Sequence, residues 1–141
     1  MDKPQALFFD VNETLLDLGD LKQSIGMTLG GREDLVTLWF RMMLHYSLVH
    51  TVADQYRHFG EIGVATLQML ARNQGLDLGI SEAKAALQPI RSLSPHPDVK
   101  PAFSLLKEKG YRMFALTNSS FAGVNAQMAH AGLTDYFEEL L

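Results

Sequence analysis

Cysteine is absent from the 141 residues. That excludes a disulfide framework, a thiolate metal site and a cysteine nucleophile together, and it fits a reducing, cytoplasmic setting. Long apolar runs are missing too. The first one, Ala6 to Phe9, is far too short for a signal-peptide core or a membrane span, so the chain reads as soluble and unexported. Clustered positive charge is also lacking. Lys3, Lys22, Lys84, Lys100, Lys107, Lys109 and the arginines are scattered, and sixteen acidic against twelve basic residues give a formal charge of −4, so nucleic acid is not an expected partner. No repeat or low-complexity tract is visible. With 47% hydrophobic and 20% charged residues, the composition is that of one folded globular unit with a real core.

Hydrophobic periodicity divides the chain into three parts. Residues 5–10 (Gln-Ala-Leu-Phe-Phe-Asp) form a short continuous apolar run, which predicts a strand buried on both faces with Asp10 at its end. From about residue 18 the pattern becomes helical. Leu21, Ile25 and Leu29 fall four apart before Gly30-Gly31; Leu35, Leu38, Trp39, Met42 and Tyr46 form a second stripe. A third helix is predicted from about Gly60 to Asn73, with Thr66, Leu67 and Leu70 on its inner face and Gly75 as its stop. The fourth takes Ser81 as N-cap and closes at Pro89.

Ser94-Pro95-His96-Pro97 reads as a linker. Asp98 then caps a helix with Ala102, Leu105 and Leu106 inward and Gly110 as stop. Tyr111 to Thr117 is a second strand, and a helix from Phe121 to Ala131 closes at Gly132. Strand and helix alternate at the two ends of the chain around an all-helical block. Because parallel strands need crossover connections, the pattern predicts an α/β core of residues 1–17 and 93–141, interrupted by a helical insertion at 18–92. Ligands of such sheets bind at the C-terminal strand edge, where Asp10 and Thr117-Asn118 would line one crevice. The apolar run Tyr136 to Leu141 stands where a third strand ought to begin, and two strands alone make a poor sheet. The chain is therefore expected to be the N-terminal part of a longer protein.

Each candidate side chain admits a chemical and a structural reading. Asp10 suits a carboxylate nucleophile, since aspartates are ionised at neutral pH without help, or it caps the following turn. Thr14 offers a hydroxyl and a backbone N–H to the same pocket, or is an ordinary turn threonine. Thr117 and Asn118 offer a hydroxyl, an amide and N–H groups just before a helix, where anions are held, or act as its N-cap. Arg41, on the helix with Trp39, reaches a carboxylate or sits on a solvated face. The histidines (His45, His50, His58, His96, His130) show neither an HExxH pattern nor a ligand spacing with acids, so no metal site is expected.

The strings FFDVNETLLD and FALTNSS resemble the first and second motifs of the haloacid dehalogenase superfamily. The stretches LWFRMMLHYS and GYRMFALTNSSFAGVNAQMAHAGLTDYFEELL are similar to its L-2-haloacid dehalogenase branch. The resemblance implies a Rossmann-like core with a helical cap between the motifs, and Asp10 as the nucleophile that attacks a halogen-bearing carbon before water hydrolyses the ester. Thr14, Thr117 and Asn118 match positions that contact the nucleophile, the substrate carboxylate or the departing halide.

Asn12 separates two chemistries within the superfamily. Its phosphatases carry a second Asp at this position to protonate a poor leaving group, which an amide cannot do; halide leaves without a proton. The resemblance thus implies dehalogenation of a small 2-haloalkanoic acid without a cofactor. The alternatives are a Mg²⁺-dependent phosphatase and a truncated, non-catalytic binding module of the same fold, and the 141 residues by themselves are expected to be catalytically incomplete. The expected partner is a small molecule, with no nucleic acid and no membrane, and a homodimer is allowed for. The chain departs from the family in having Glu13 where Gly usually precedes the motif threonine. It also has Phe40 directly after Trp39, which moves the cap arginine to Arg41 and rotates it by about 100° around the helix. The third-motif lysine and the fourth-motif loop have no counterpart before Leu141.

Overall fold

The computed structural model describes residues 4–141. Met1, Asp2 and Lys3, which open the predicted core segment, lie outside the described residues. In chain order the elements are β1 (Ala6–Phe9), α1 (Gly19–Thr28), α2 (Val36–Val52), α3 (Phe59–Asn73), α4 (Ile80–Ala86), α5 (Val99–Glu108), β2 (Arg112–Ala115), α6 (Phe121–Ala131) and β3 (Glu139–Leu140). Short 3-10 turns occupy Glu33–Leu35, Gln88–Ser92 and Thr134–Tyr136. Two compact units result, one of residues up to Leu18 with Ile90–Leu141, the other Gly19–Pro89. The fold class is α/β.

The first unit is built on a parallel sheet in the order β1-β2-β3. Phe8 pairs with Phe114 and Phe9 with Ala115, while Phe114 and Ala115 pair in turn with Glu139 and Leu140. The sheet thus has three strands rather than two, because Leu141 N–H donates to the Ala115 carbonyl and draws the C-terminal run into the ladder. Right-handed crossovers that step in one direction along a sheet set both connecting helices against the same face. That face carries the core. Phe103 of α5, 2% exposed, meets Phe9 edge-on at 4.9 Å and Phe137 at 5.3 Å between ring centroids. The opposite face corrects the expectation of a strand buried on both sides: Phe8 is 58% exposed and stacks on Phe114 at 5.1 Å.

Phe103 also decides which face of α5 points inward. Val99 and Phe103 are buried and Leu106 half-buried, whereas Ala102 and Leu105, expected inside, are exposed. The largest ring on the helix settles in the aromatic cluster, and the rotation follows from it. Gly110 and Gly132 end α5 and α6 with φ of +71° and +65°, a conformation that costs glycine little. Across the sheet edge the Arg112 guanidinium donates two bonds of 3.0 Å and one of 2.8 Å to the Glu138 carboxylate.

The second unit has no strand among its residues. Leu21, Ile25 and Leu29 of the first stripe are buried, as are Leu67 and Leu70 of α3. The stripe on α2 differs from the expected one. Leu35, Val36, Trp39 and Met43 are buried, Met42 and Tyr46 half-buried, and Leu38 is 45% exposed. Trp39 sets this rotation by donating its indole N–H to the Gly63 carbonyl at 3.0 Å. A Cβ on Gly63 would lie 3.2 Å from Met43 Sδ and 3.5 Å from the Trp39 ring, so a side chain there would press on both. The fourth helix is capped by Gly79 rather than Ser81. Glu82 turns back to accept from the Gly79 N–H at 2.9 Å, which places Ser81 inside the first turn.

Replacing Phe103 by Ala is expected to cost about 3–5 kcal/mol, the range for emptying a buried aromatic site, read as a lowered urea midpoint. The Arg112 hydrogen bonds hold the Glu138 carboxyl below the usual carboxylate range. Its contribution is therefore present above the ordinary glutamate range and is lost as acidification passes through the depressed value. Glu138→Gln should remove that part of the acid limb from a plot of stability against pH.

Candidate active site

Asp10 follows the last residue of β1, and Leu116 follows the last residue of β2. The Leu116 N–H donates to the Phe9 carbonyl at 2.8 Å, so the two chains leave the sheet side by side at its C-terminal edge. Asp10 is exposed, and its Oδ2 accepts a 2.6 Å hydrogen bond from the Thr14 hydroxyl. The turn between them is tight. Leu15 and Leu16 N–H groups both donate to the Val11 carbonyl, at 2.9 and 3.1 Å, and Glu13 N–H donates to the Leu16 carbonyl at 3.0 Å. Val11, Leu15 and Leu16 are buried beneath it, Asp10 and Thr14 are exposed, and Asn12 between them is half-buried.

Glu13 is the strained point of this turn, with φ at +67°, where a side chain is disfavoured. The surroundings hold it there. His96 donates its backbone N–H to the Leu15 carbonyl at 2.9 Å, and its imidazole Nε2 lies 3.2 Å from the Glu13 carbonyl, donating to it in the tautomer protonated at that nitrogen. His96 thus supports the loop, a role its sequence context did not signal.

Beyond β2, the Thr117 hydroxyl accepts from the Ser119 N–H at 3.2 Å, and Thr117 N–H donates to the Leu141 carbonyl. Neither Thr117 nor Asn118 caps α6. Ser120 does, its hydroxyl accepting from Gly123 N–H at 3.2 Å. Asn118 is exposed. Asn12 is the bridge between the two loops: Nδ2 donates to Ser119 Oγ at 3.1 Å, and Oδ1 accepts from Gln127 Nε2 at 2.8 Å. Ser119 and Gln127 were not singled out from the sequence. A usable signal existed for Gln127, which stands on the apolar stripe Val124, Met128 and Ala131 of α6. Arg41 belongs to the second unit, exposed on α2. Among the described residues no group of three or more His, Asp or Glu side chains is placed to hold a metal ion.

The family model for haloacid dehalogenase-like hydrolases matches residues 4–141. The chain belongs to that family. It is 28% identical to the (S)-2-haloacid dehalogenase of Pseudomonas sp. (strain YL) over all of its own length and 61% of the relative's. Two solved structures of the L-2-haloacid dehalogenase of Xanthobacter autotrophicus, one with chloropropionic acid covalently bound, each superpose with a TM-score of 0.86 at 25% identity. Each comparison covers 97% of this chain and 56% of that one. The chain thus spans about three-fifths of the length of these relatives.

In this haloacid dehalogenase-like chain, the residue directly before Thr14 is the one that the turn strains. A left-handed residue costs roughly 1–2 kcal/mol with a side chain, against about 0.4–1 kcal/mol of added unfolded-state entropy for glycine. On these backbone terms Glu13→Gly is expected to stabilise the protein, by about 0–1.6 kcal/mol as the difference of the two ranges, and to raise the thermal midpoint by a few degrees.

Proposed function

We propose that the protein is a hydrolase that dehalogenates a small 2-haloalkanoic acid through an ester on Asp10. One observation carries the reading. A carboxylate tied to a hydroxyl donor leaves the end of β1, and two residues later stands an amide, Asn12, with both its ends engaged in hydrogen bonds. Phosphate-ester hydrolysis needs an acid at that second position, and halide departure does not.

With Oδ2 of Asp10 held by Thr14, Oδ1 attacks the halogen-bearing carbon. The C–O bond forms as the C–halogen bond breaks, and the halide leaves with the bonding electrons. Water then attacks the ester carbonyl, which restores the Asp10 carboxylate and releases the 2-hydroxy acid and a proton. Thr117 and Asn118, neither engaged in capping α6, are assigned to the substrate carboxylate or the halide, and Arg41 to the substrate carboxylate on its chemistry alone. Asn12 completes the proposed set. We read the all-helical segment 18–92 as the cap and the α/β segments as the catalytic core. The reading needs no cofactor. A cytoplasmic location fits the absence of cysteine, and no helix among the described residues is long and apolar enough to cross a membrane. The partner is the small-molecule substrate, with a homodimer as an allowed assembly.

Because these 141 residues span about three-fifths of the relatives' length, the test uses the full-length protein: halide release from 2-chloropropionate with EDTA present, beside 4-nitrophenyl phosphate hydrolysis with Mg²⁺. Halide release that Asp10→Asn abolishes is the expected outcome. Phosphate release alone would transfer the assignment to a phosphatase, and neither activity in the full-length protein would leave a binding module. Thr14→Val should lower kcat about 10- to 100-fold, the worth of one hydrogen bond to a charged group.

A further inference from the structure

Gln127 is 2% exposed and uses both amide hydrogens. Its Nε2 donates to the Ile90 carbonyl at 2.8 Å and to Asn12 Oδ1 at 2.8 Å, while its Oε1 is buried and accepts no hydrogen bond. A backbone carbonyl can only accept. The Ile90 carbonyl therefore dictates which end of the Gln127 amide faces it, since the flipped amide would set Oε1 against that carbonyl. The same logic passes along the chain. Asn12 must turn Oδ1 toward Gln127, which leaves Nδ2 facing Ser119 Oγ, where it donates at 3.1 Å. The Ser119 oxygen is thus an acceptor toward Asn12, and its hydroxyl hydrogen must point elsewhere. The Ser119 N–H is already given to Thr117 Oγ1, so the hydroxyl is the donor this residue has left.

We propose that Gln127 is a positioning residue that orients a one-way hydrogen-bond chain through Asn12, so that Ser119 presents its hydroxyl hydrogen to the carboxylate of the bound substrate. This rests on the haloacid reading above. Ser119 is the contacting residue, set in the loop with Thr117 and Asn118, and Gln127 acts only through Asn12. An oxygen held as acceptor at one side and free to donate at the other suits an anion that offers only lone pairs. The buried, unsatisfied Oε1 is the cost of this polarity, because no rotation of the amide satisfies Oε1 while keeping both donors in place.

The test combines kinetics on 2-chloropropionate with side-chain amide spectra of the ¹⁵N-labelled protein. Ser119→Ala should raise KM roughly tenfold or more with a smaller change in kcat, as expected for a lost contact to a charged group made before and during reaction. Gln127→Met should raise KM similarly, and the double variant should be no worse than Ser119→Ala alone, because both act through one hydrogen. Additive effects would overturn the proposal, as would a Gln127→Met effect confined to kcat. If Gln127→Met does not fold, Asn12→Asp supplies the same test. An ionised carboxylate accepts from Gln127 yet draws the Ser119 hydrogen to itself, so KM should rise as in Ser119→Ala; an unchanged KM would overturn it. If the unmutated full-length protein releases no halide, the haloacid reading fails by itself, and the hydrogen-bond chain is judged from the spectra. Faster exchange of the Asn12 side-chain amide hydrogens in Gln127→Met, or with Asn12→Asp a shifted Gln127 amide, supports the chain, and unchanged signals overturn it.

Discussion

The parallel pairing of Ala6–Phe9 with Arg112–Ala115 is the constraint on which the rest depends. It joins segments from opposite ends of the chain, so its loop-closure entropy is met only when a large apolar interface forms along with it. Phe103 provides that interface from α5, gathering Phe9, Tyr136 and Phe137 around one ring. With the register set at Phe9 and Ala115, the loops that follow leave the same edge in the same direction. The Asp10 loop and the Thr117–Ser120 loop are neighbours for that reason, and no contact between their polar side chains is needed to bring them together.

Those polar contacts refine what the sheet has made adjacent. The turn from Val11 to Leu16 stores strain at Glu13, and the strain persists because backbone bonds from Leu15, Leu16 and His96 over-determine the turn. Asn12 gains a fixed orientation by a different route, through a buried amide whose polarity a single backbone carbonyl decides. Buried polar groups of this kind contribute little net stability, yet they permit few alternative arrangements. Strain and directed hydrogen bonds both sit on the loops rather than in the strands, where the sheet leaves side chains free to face a ligand.

The helical unit is organised by one indole. Trp39 reaches the Gly63 carbonyl, and Gly63 leaves room for the Trp39 ring and the Met43 side chain of α2. Thr66, a turn away, is buried but satisfied by the Ile62 carbonyl of its own helix at 2.8 Å. The seam is thus apolar in effect even where it carries polar atoms.

Much of the architecture was legible in the chain because it rests on neighbours in sequence. The strand before Asp10, the stops at Gly75, Gly110 and Gly132, the helix from Phe121 to Ala131 and the alternation that implies a parallel sheet all follow from periodicity and glycine's tolerance of positive φ. The motif around Asp10 and the amide at Asn12 could likewise be read directly. Tertiary structure alone decided which face of each amphipathic helix turned inward, since Leu38 and Val36, or Leu105 and Phe103, are equally apolar until Trp39 and Phe9 find their partners. It also decided that Ser120 rather than Thr117 or Asn118 caps α6, that Glu13 takes the left-handed conformation, and that Gln127 reaches Asn12. These depend on where a distant carbonyl or ring comes to lie, and a donor's partner across the fold leaves no periodic trace in the chain that carries it.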